Sequence, residues 1–339
     1  MNHHKTLVLE RSQTIKIMSI PFKRPMLAAS LLPSNVEHTD LLVLKAMQEL
    51  YRKIPGARAA TIKEDGIRGL CFNKLASRVL YKIPNLSLQK RAENKPRGLD
   101  VELCADGLPY TKIESIVMSE EHPDSDKIKF HIIDLWDKGE GIPYIGRIGR
   151  ANDLCKYMPD VVPSNPAICP TAESLFLFLK ECEADGKEGI CWRLPDSKYV
   201  QKNTLDNRST LAEQYLLKFS RYLRMELLIV GFKEQEENGN ADKRNPLGKM
   251  KRTTNKDLMY GKNTLGSFVC QHPDGYTVDV GTGVELTADL RKEIWDNRDA
   301  YYRHPLTVKY KPFGMKDKLR SPIALMEDFK FVGKREKGF

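Results

Sequence analysis

The sequence predicts an α+β protein of two domains, of which the second is a small β-barrel. Its 339 residues correspond to about two domains at roughly 150 residues each. Helical and strand-like hydrophobic patterns alternate up to about residue 232. A polar, charged stretch at 233–257 follows, and after it the pattern changes to short strands separated by turn residues. We therefore place the domain boundary near residue 232.

Three segments have the apolar spacing of helices, and ten have the composition of strands. The first helix, 39–53, carries an apolar stripe and ends before Pro55-Gly56. The other predicted helices are 174–183 and 288–297. The predicted strands are 59–62, 67–72, 99–104, 128–135, 189–193, 215–221, 226–232, 265–271, 276–280 and 306–310. Several short strands with one helix in the last third of the chain favour a barrel.

The composition excludes several classes of protein. The longest apolar runs are far shorter than the roughly 18 residues of a membrane span, so we expect no membrane association. The first 25 residues lack the pattern of a secretory signal, and residues 1–19 are expected to be a loose extension. The seven cysteines are odd in number and have no Cys-x-x-Cys spacing, which is typical of a protein of the reducing cytoplasm.

The net charge of +10 is concentrated near the end of the chain. Residues 301–339 hold ten basic residues against four acidic ones, and 243–256 hold six basic residues and no acid. This distribution indicates a polyanionic partner, whose binding would weaken steeply with salt. A surface that only keeps the protein soluble explains the same charge.

The segment Lys63-Glu64-Asp65-Gly66-Ile67-Arg68 carries the strongest chemical signal. A lysine follows an apolar strand, an Asp-Gly turn comes next, and an arginine opens a second strand. This order directs an amine into a pocket with a guanidinium beside it. Alone, such a hexapeptide is typical of a hairpin turn with surface charges.

Three further charged residues lie within or beside apolar strands. These are Glu102, Glu188 and Lys218. A lone charge in such a position is costly to bury, so each needs a partner. Two carboxylates and two lysines that converge on one cleft suit a nucleoside triphosphate with a divalent metal, because carboxylates bind Mg²⁺ and lysines bind phosphate.

The order of these segments resembles the ATP-dependent polynucleotide ligases, specifically the small DNA ligases of bacteriophages. Other segments that carry the resemblance are 25–28, 76–85, 117–119, 208–218, 265–267, 280–283, 308–311 and 319–322. The resemblance implies a nucleotidyltransferase (adenylation) domain over 20–231, built of antiparallel sheets with flanking helices. It implies an OB-fold DNA-binding domain over 232–339.

The resemblance also implies a role for individual residues. Lys63 corresponds to the lysine that is adenylated. The implied ATP or AMP contacts are Ile62, Lys63, Arg68, Arg78, Glu102, Ile133, Lys218 and Arg320. The implied metal ligands are Glu102 and Glu188. The implied DNA contacts are Lys249, Lys251, Arg252, Lys309, Lys311, Lys316 and Lys318.

The activity implied is ATP-dependent sealing of nicks in duplex DNA by a monomer, with Mg²⁺ and with Mn²⁺ as a substitute. A viral protein of this kind would act in the cytoplasm of the host cell. An unperturbed lysine, with a pKa near 10.4, is almost entirely charged at pH 7, so we expect the site to lower the pKa of Lys63. A bound metal, Lys218 and partial desolvation are the expected causes.

The sequence departs from the ligase pattern at five positions. Thr61 stands where a glutamate usually reads the adenine, and Ile133 stands where an aromatic residue usually stacks on it, a role that Phe130 could take instead. Ser220 stands where a second lysine is usual, two positions after Lys218. Ser321 and Asp328 stand in the barrel ending, which usually reads Arg-Phe-Pro and closes on an arginine. An RNA ligase, an mRNA-capping guanylyltransferase and a non-catalytic DNA-binding relative are the alternative interpretations.

Overall fold

The computed structural model describes residues 24–34, 36–137, 140–201, 209–240, 243–244, 247, 250–251, 258–312 and 318–325. Seven α-helices lie within these residues: α1 (Asp40–Lys53), α2 (Leu86–Glu93), α3 (Tyr110–Met118), α4 (Tyr144–Cys155), α5 (Ala172–Ala184), α6 (Ala288–Asp296) and α7 (Arg298–Tyr301). None of them is long and apolar enough to cross a bilayer.

The described strands number seventeen and form two open sheets, a closed barrel and a small hairpin. Ten precede the barrel: β1 (Ala29–Ser30), β2 (Arg58–Ile62), β3 (Ile67–Cys71), β4 (Leu75–Ser77), β5 (Leu99–Cys104), β6 (Lys129–Leu135), β7 (Val161–Val162), β8 (Ala167–Cys169), β9 (Gly189–Arg193) and β10 (Leu217–Ser220). The rest are β11 (Leu223–Asn238), β12 (Lys243–Arg244), β13 (Met250–Lys251), β14 (Met259–Gln271), β15 (Thr277–Gly281), β16 (Pro305–Lys311) and β17 (Arg320–Ala324).

The first sheet has the strand order β1-β10-β9-β2-β8 and packs against α1 and α5. Both helices begin with a threonine cap, since Thr39 accepts a hydrogen bond from the Leu42 amide and Thr171 forms a capping box with Ser174. The apolar stripe of α1, including Val43 and Met47, is buried in this core. The helix predicted at 39–53 is therefore confirmed, and its apolar spacing marks the face that packs on the sheet.

The second sheet has the strand order β4-β3-β5-β6-β7. Its core also contains apolar residues of α2, α3 and α4, three helices that the sequence analysis did not predict. β2 and β3 belong to different sheets, so the segment 63–66 crosses from one sheet to the other. The Asp-Gly turn is thus a connection between layers, rather than the turn of a hairpin.

The last third of the chain forms a closed barrel with the order β11-β14-β15-β17-β16. Residues of α6, among them Ile294, pack into its core. The α+β class is confirmed, and the barrel has five strands; its assignment as an OB fold stays a prediction.

The predicted domain boundary at 231/232 falls inside β11. This strand begins at Leu223, and its residues Leu227 and Ile229 are buried in the barrel core. The charged stretch from 233 that we expected to be a loop continues β11 to Asn238, because it pairs with β14. In a two-stranded ribbon outside a core, charged side chains can point to water on both faces, so hydrophobic periodicity does not reveal such a strand.

Candidate active site

A cavity of about 590 Å³ is lined by residues from both open sheets. On the first sheet, Thr61 of β2 lies opposite Cys191 of β9, and Cys191 lies opposite Lys218 of β10. All three line the cavity. Since residues opposite one another share a face of a sheet, these side chains form one row along the first wall.

A second row forms the facing wall. Arg68 of β3 lies opposite Glu102 of β5, and Glu102 lies opposite His131 of β6. These three residues also line the cavity. Lys63, at the end of β2, begins the segment that connects the two walls, so its amine lies between them.

Glu188 is the ion-pair partner of the Lys63 amine. The two side chains form an ion pair in which the Glu188 carboxylate is almost fully buried and the Lys63 side chain is 21% exposed. The other carboxylate oxygen of Glu188 lies 3.0 Å from Nζ of Lys311, a residue of the barrel. One buried carboxylate therefore accepts from two lysines, one that follows a strand of the first sheet and one in the barrel.

This contact reverses the charge behaviour that we expected of Lys63. Burial alone would lower the pKa of its ammonium, but the Glu188 carboxylate, helped by Glu102, outweighs burial and raises that pKa. The expected lowering was wrong for this state of the protein, because the sequence did not reveal that Glu188 pairs with Lys63 directly. For Glu188, burial would raise the pKa, but Lys63 and Lys311 lower it.

The pKa values of Glu102 and Lys218, which also lie on the walls, are shifted in the opposite sense to those of Glu188 and Lys63. Burial, more than any neighbour, raises the pKa of the Glu102 carboxyl to about 7, although Arg68 and Lys63 oppose this. Burial, followed by repulsion from Lys63, lowers the pKa of Lys218. A cation added beside Glu102 would offset the cost of its ionisation.

Two glycines allow the close approach of backbone segments at the cavity. A Cβ on Gly189 would lie 2.1 Å from the Phe219 carbonyl oxygen, and one on Gly66 would lie 2.5 Å from the Leu103 oxygen. The Lys63 amide donates to the Gly189 carbonyl oxygen at 2.8 Å, which fixes Lys63 next to Glu188. Side chains at either glycine would displace strands that carry the charged groups.

Arg68 is held in place by groups behind the cavity wall. Its guanidinium donates to both oxygens of the fully buried Asp100, at 2.8 and 2.5 Å, and to the Met26 carbonyl oxygen at 2.8 Å. Tyr199 donates to Asp100 at 2.8 Å. These bonds fix the orientation of a cavity-lining cation before any ligand binds.

The barrel contacts the connecting segment through a second ion pair. Arg320 donates to both oxygens of Asp65, at 2.6 and 2.9 Å. Asp65 lies two residues after Lys63. The structure thus pairs Arg320 with the segment that follows Lys63, and Arg320, a predicted nucleotide contact, is not among the residues that line the cavity.

Most of the predicted nucleotide contacts line the same cavity. Ile62, Lys63, Arg68, Arg78, Glu102, Ile133 and Lys218 line the cavity. Glu188 reaches it through its ion pair with Lys63. Phe130, our alternative stacking residue, is fully buried in the core of the second sheet. That alternative was wrong, because Phe130 packs into the core and does not line the cavity, whereas Ile133 does.

The predicted DNA contacts that the structure describes differ in how exposed they are and in what they bind. Lys318 is exposed. Lys309 is only 7% exposed and donates to the backbone and side-chain oxygens of Ser34, so it is not on a surface that a duplex could contact. Lys311 is committed to Glu188. Lys249, Arg252 and Lys316, and also Asp328 and the extension 1–19, lie outside the described residues, as does the side chain of Lys251.

No protein-family model and no curated protein matches the sequence. A solved structure does match: that of a Lig E DNA ligase, which was studied for DNA binding with a minimal scaffold. It is 19% identical, its TM-score is 0.58, and the match covers 79% of this chain and 91% of that chain. The chain has the fold of a DNA ligase.

Two viral ligases match at lower structural similarity. The Chlorella virus DNA ligase-adenylate is 23% identical over 90% of this chain and 99% of that one, with a TM-score of 0.49. The ATP-dependent DNA ligase from bacteriophage T7, in complex with ATP, is 14% identical over 89% and 98%, with a TM-score of 0.45. Neither score is high enough to add to the assignment of the ligase fold.

The sequence analysis missed several residues that line the cavity of this ligase fold. Among them are Tyr110, His131 and Arg193. His131 could have been found from strand periodicity, since it lies two positions from Ile133, a predicted nucleotide contact. Arg193 ends the predicted strand 189–193. Tyr110 begins α3, a helix that was not predicted, so no pattern pointed to it.

Proposed function

We propose that this protein is an ATP-dependent DNA ligase that seals nicks through a covalent adenylate on Lys63. The observation that carries the proposal is the position of the Lys63 amine, at the junction of two cavity walls that present Arg68, Glu102 and Lys218. A cavity with this charge pattern suits a nucleoside triphosphate. The ligase fold of the chain agrees with the proposal.

The carboxylates of Glu102 and Glu188 fit a divalent cation. They are close enough to act on each other electrostatically, both are oxygen donors, and Glu102 is costly to ionise without a cation. Mg²⁺ bound there, or Mn²⁺ in its place, would neutralise charge on the phosphates. When Glu188 is engaged in that way, Lys63 loses the carboxylate that stabilises its ammonium, and repulsion from Lys218 then favours the neutral amine.

Three transfers of the phosphoryl type follow from this arrangement. The Lys63 amine attacks the α-phosphorus of ATP, a P–N bond forms, and the bond from that phosphorus to the bridging oxygen breaks. Pyrophosphate leaves with Lys218 near its charge, and the amine releases a proton to solvent. AMP then passes from Lys63 to the 5′-phosphate at a nick. Attack by the adjacent 3′-hydroxyl on that phosphorus forms the phosphodiester and expels AMP. Positioning by fixed groups such as Arg68 is the main contribution of the protein to each step.

A nick-sealing assay tests this function. The protein is incubated with ATP, Mg²⁺ and a duplex that carries one 5′-phosphorylated nick, and the sealed strand is measured on a denaturing gel. Lys63→Ala should reduce sealing by at least about 10³-fold because the nucleophile is lost. The control Lys90→Ala, on the exposed side of α2, should seal at the wild-type rate.

The same assay separates the alternatives. Sealing that is confined to an RNA nick would indicate an RNA ligase, and labelling by GTP without sealing would indicate a capping guanylyltransferase. Nick binding that weakens with salt but is never followed by sealing would indicate a non-catalytic relative. Undiminished sealing by Lys63→Ala would contradict the assignment of the nucleophile.

A further inference from the structure

A second cluster of donor atoms lies at the edge of the cavity. Glu64, Cys104 and His131 each place one potential ligand atom within 4.8 Å of those of the other two. The Nδ1 atom of His131 is 3.3 Å from a carboxylate oxygen of Glu64. None of these three residues is used by the proposed ligase mechanism.

The strand register explains why these three residues meet. Glu102 of β5 lies opposite His131 of β6, and Cys104 follows Glu102 by two positions, so Cys104 and His131 are diagonal neighbours on one face. Gly66 brings the connecting segment against the same face, since a Cβ there would lie 2.6 Å from the Cys104 sulfur. Glu64 therefore reaches the cluster from the backbone that carries Lys63.

The surroundings of the cluster are suited to a cation. The Cys104 sulfur is buried and lies in the electrostatic field of four carboxylates, namely Glu102, Glu64, Asp65 and Asp106. The Nε2 atom of His131 is buried and makes no hydrogen bond within the described part of the chain. Buried ring nitrogens normally have a partner, and among the described residues His131 has no hydrogen bond at Nε2 that competes with binding of a cation through Nδ1, the nitrogen that faces Glu64.

The donor set selects the kind of metal. One thiol, one imidazole and one carboxylate form a set typical of Zn²⁺ and related transition metals, whereas Mg²⁺ takes oxygen ligands almost exclusively. Three protein ligands leave a tetrahedral ion one further position. Glu64 and His131 line the cavity, so that position is accessible from it.

We propose that Glu64, Cys104 and His131 bind a divalent transition metal of the zinc class at the edge of the nucleotide cavity. On binding, the metal replaces the thiol proton of Cys104, which is released to solvent. This site is separate from the Mg²⁺ position at Glu102 and Glu188, and it does not depend on the ligase activity proposed above.

Titration with Co²⁺ alone tests the site, because a cobalt–thiolate bond produces a charge-transfer absorption band. The full-length protein, free of nucleotide and kept reduced with a phosphine, should develop this band with one equivalent of Co²⁺, and Zn²⁺ should displace it. Cys104→Ser should abolish the band. His131→Asn and Glu64→Gln, which retain the thiol, should weaken Co²⁺ binding by at least about tenfold.

Cys191→Ser is the matched control, since Cys191 is a thiol that lines the cavity but is not part of the cluster. It should leave the band unchanged. Absence of the band in the wild-type protein would overturn the proposal, and so would a band that survives Cys104→Ser or disappears in Cys191→Ser. Should Cys104→Ser fail to fold, undiminished Co²⁺ affinity in His131→Asn would overturn it equally.

Discussion

Glu188 controls the protonation of the candidate nucleophile, because its single buried carboxylate accepts from both Lys63 and Lys311. In this state Lys63 is protonated, and an ammonium ion cannot attack phosphorus. The proposed function therefore requires Glu188 to change partners when ATP and metal bind. Glu102 has the opposite problem, since burial raises the pKa of its carboxyl to about 7, so the group is only partly ionised at neutral pH.

Glu102 gives a pH-dependent prediction for stability. Its pKa is raised from 4.5 in the unfolded chain to about 7 in the fold. Its contribution to the free energy of unfolding is therefore fully present below pH 4.5 and is lost as the pH rises through 7. Glu102→Gln removes the cost of ionisation. The stability of Glu102→Gln relative to the wild type should increase by about 2 kcal/mol between pH 5 and pH 8, in the presence of EDTA.

Urea denaturation at the two pH values measures this change. Glu93→Gln, on the exposed surface of α2, is the control, and its stability relative to the wild type should be the same at both. If the stability difference between Glu102→Gln and the wild type is the same at pH 5 and pH 8, the argument that burial raises the pKa of Glu102 is contradicted.

At the scale of the elements, strand register is what brings the site together. Lys218 and Cys191 align because β10 pairs with β9, and Lys63 meets Glu188 because β2 pairs with β9 on its other side. β9 is thus the central strand of the first wall. Its first residue, Gly189, is in a backbone conformation that favours glycine (φ 150°) and lies directly against β10.

Gly189→Ala should therefore disturb both stability and the site. A Cβ would clash with the Phe219 carbonyl oxygen, and we expect a loss of about 3 kcal/mol or more in the free energy of unfolding. Gly149→Ala, at an exposed position of α4 with open space around it, should instead stabilise the protein by about 0.5–1 kcal/mol. Urea denaturation of both variants checks this, and equal stabilities would show that β9 and β10 can separate at no cost.

Local patterns were enough to predict which strands carry the site. Lys63, Glu102 and Lys218 are charged residues within or directly after apolar strands, and such residues must converge on a polar cavity or be unfavourably buried. The partners of these residues could not be predicted in the same way. The bond between Lys63 and Glu188 depends on which strands are neighbours, and strand neighbours that are distant along the chain leave no periodic signal.

At the scale of the whole molecule, the barrel contributes side chains to the candidate site between the two open sheets. Lys311 reaches Glu188, Arg320 reaches Asp65, and Lys309 reaches Ser34. We had placed Lys309 and Lys311 on a DNA-binding surface, since the sequence reports their charge but not how the barrel packs against the sheets. These three cations of the barrel bind Glu188, Asp65 and Ser34, which precede the barrel in the chain. Lys318 remains exposed.

The most direct measurement for the central claim is the intact mass of the protein after incubation with ATP and Mg²⁺. We predict a gain of one AMP that is lost in acid, because a P–N bond is acid-labile, with the modified residue mapped to Lys63. Lys63→Ala should gain no mass under the same conditions, whereas Lys90→Ala should gain one AMP. An unmodified wild-type protein, or an adduct mapped to Lys218 instead, would contradict the claim that the Lys63 amine, once released from Glu188, is the nucleophile.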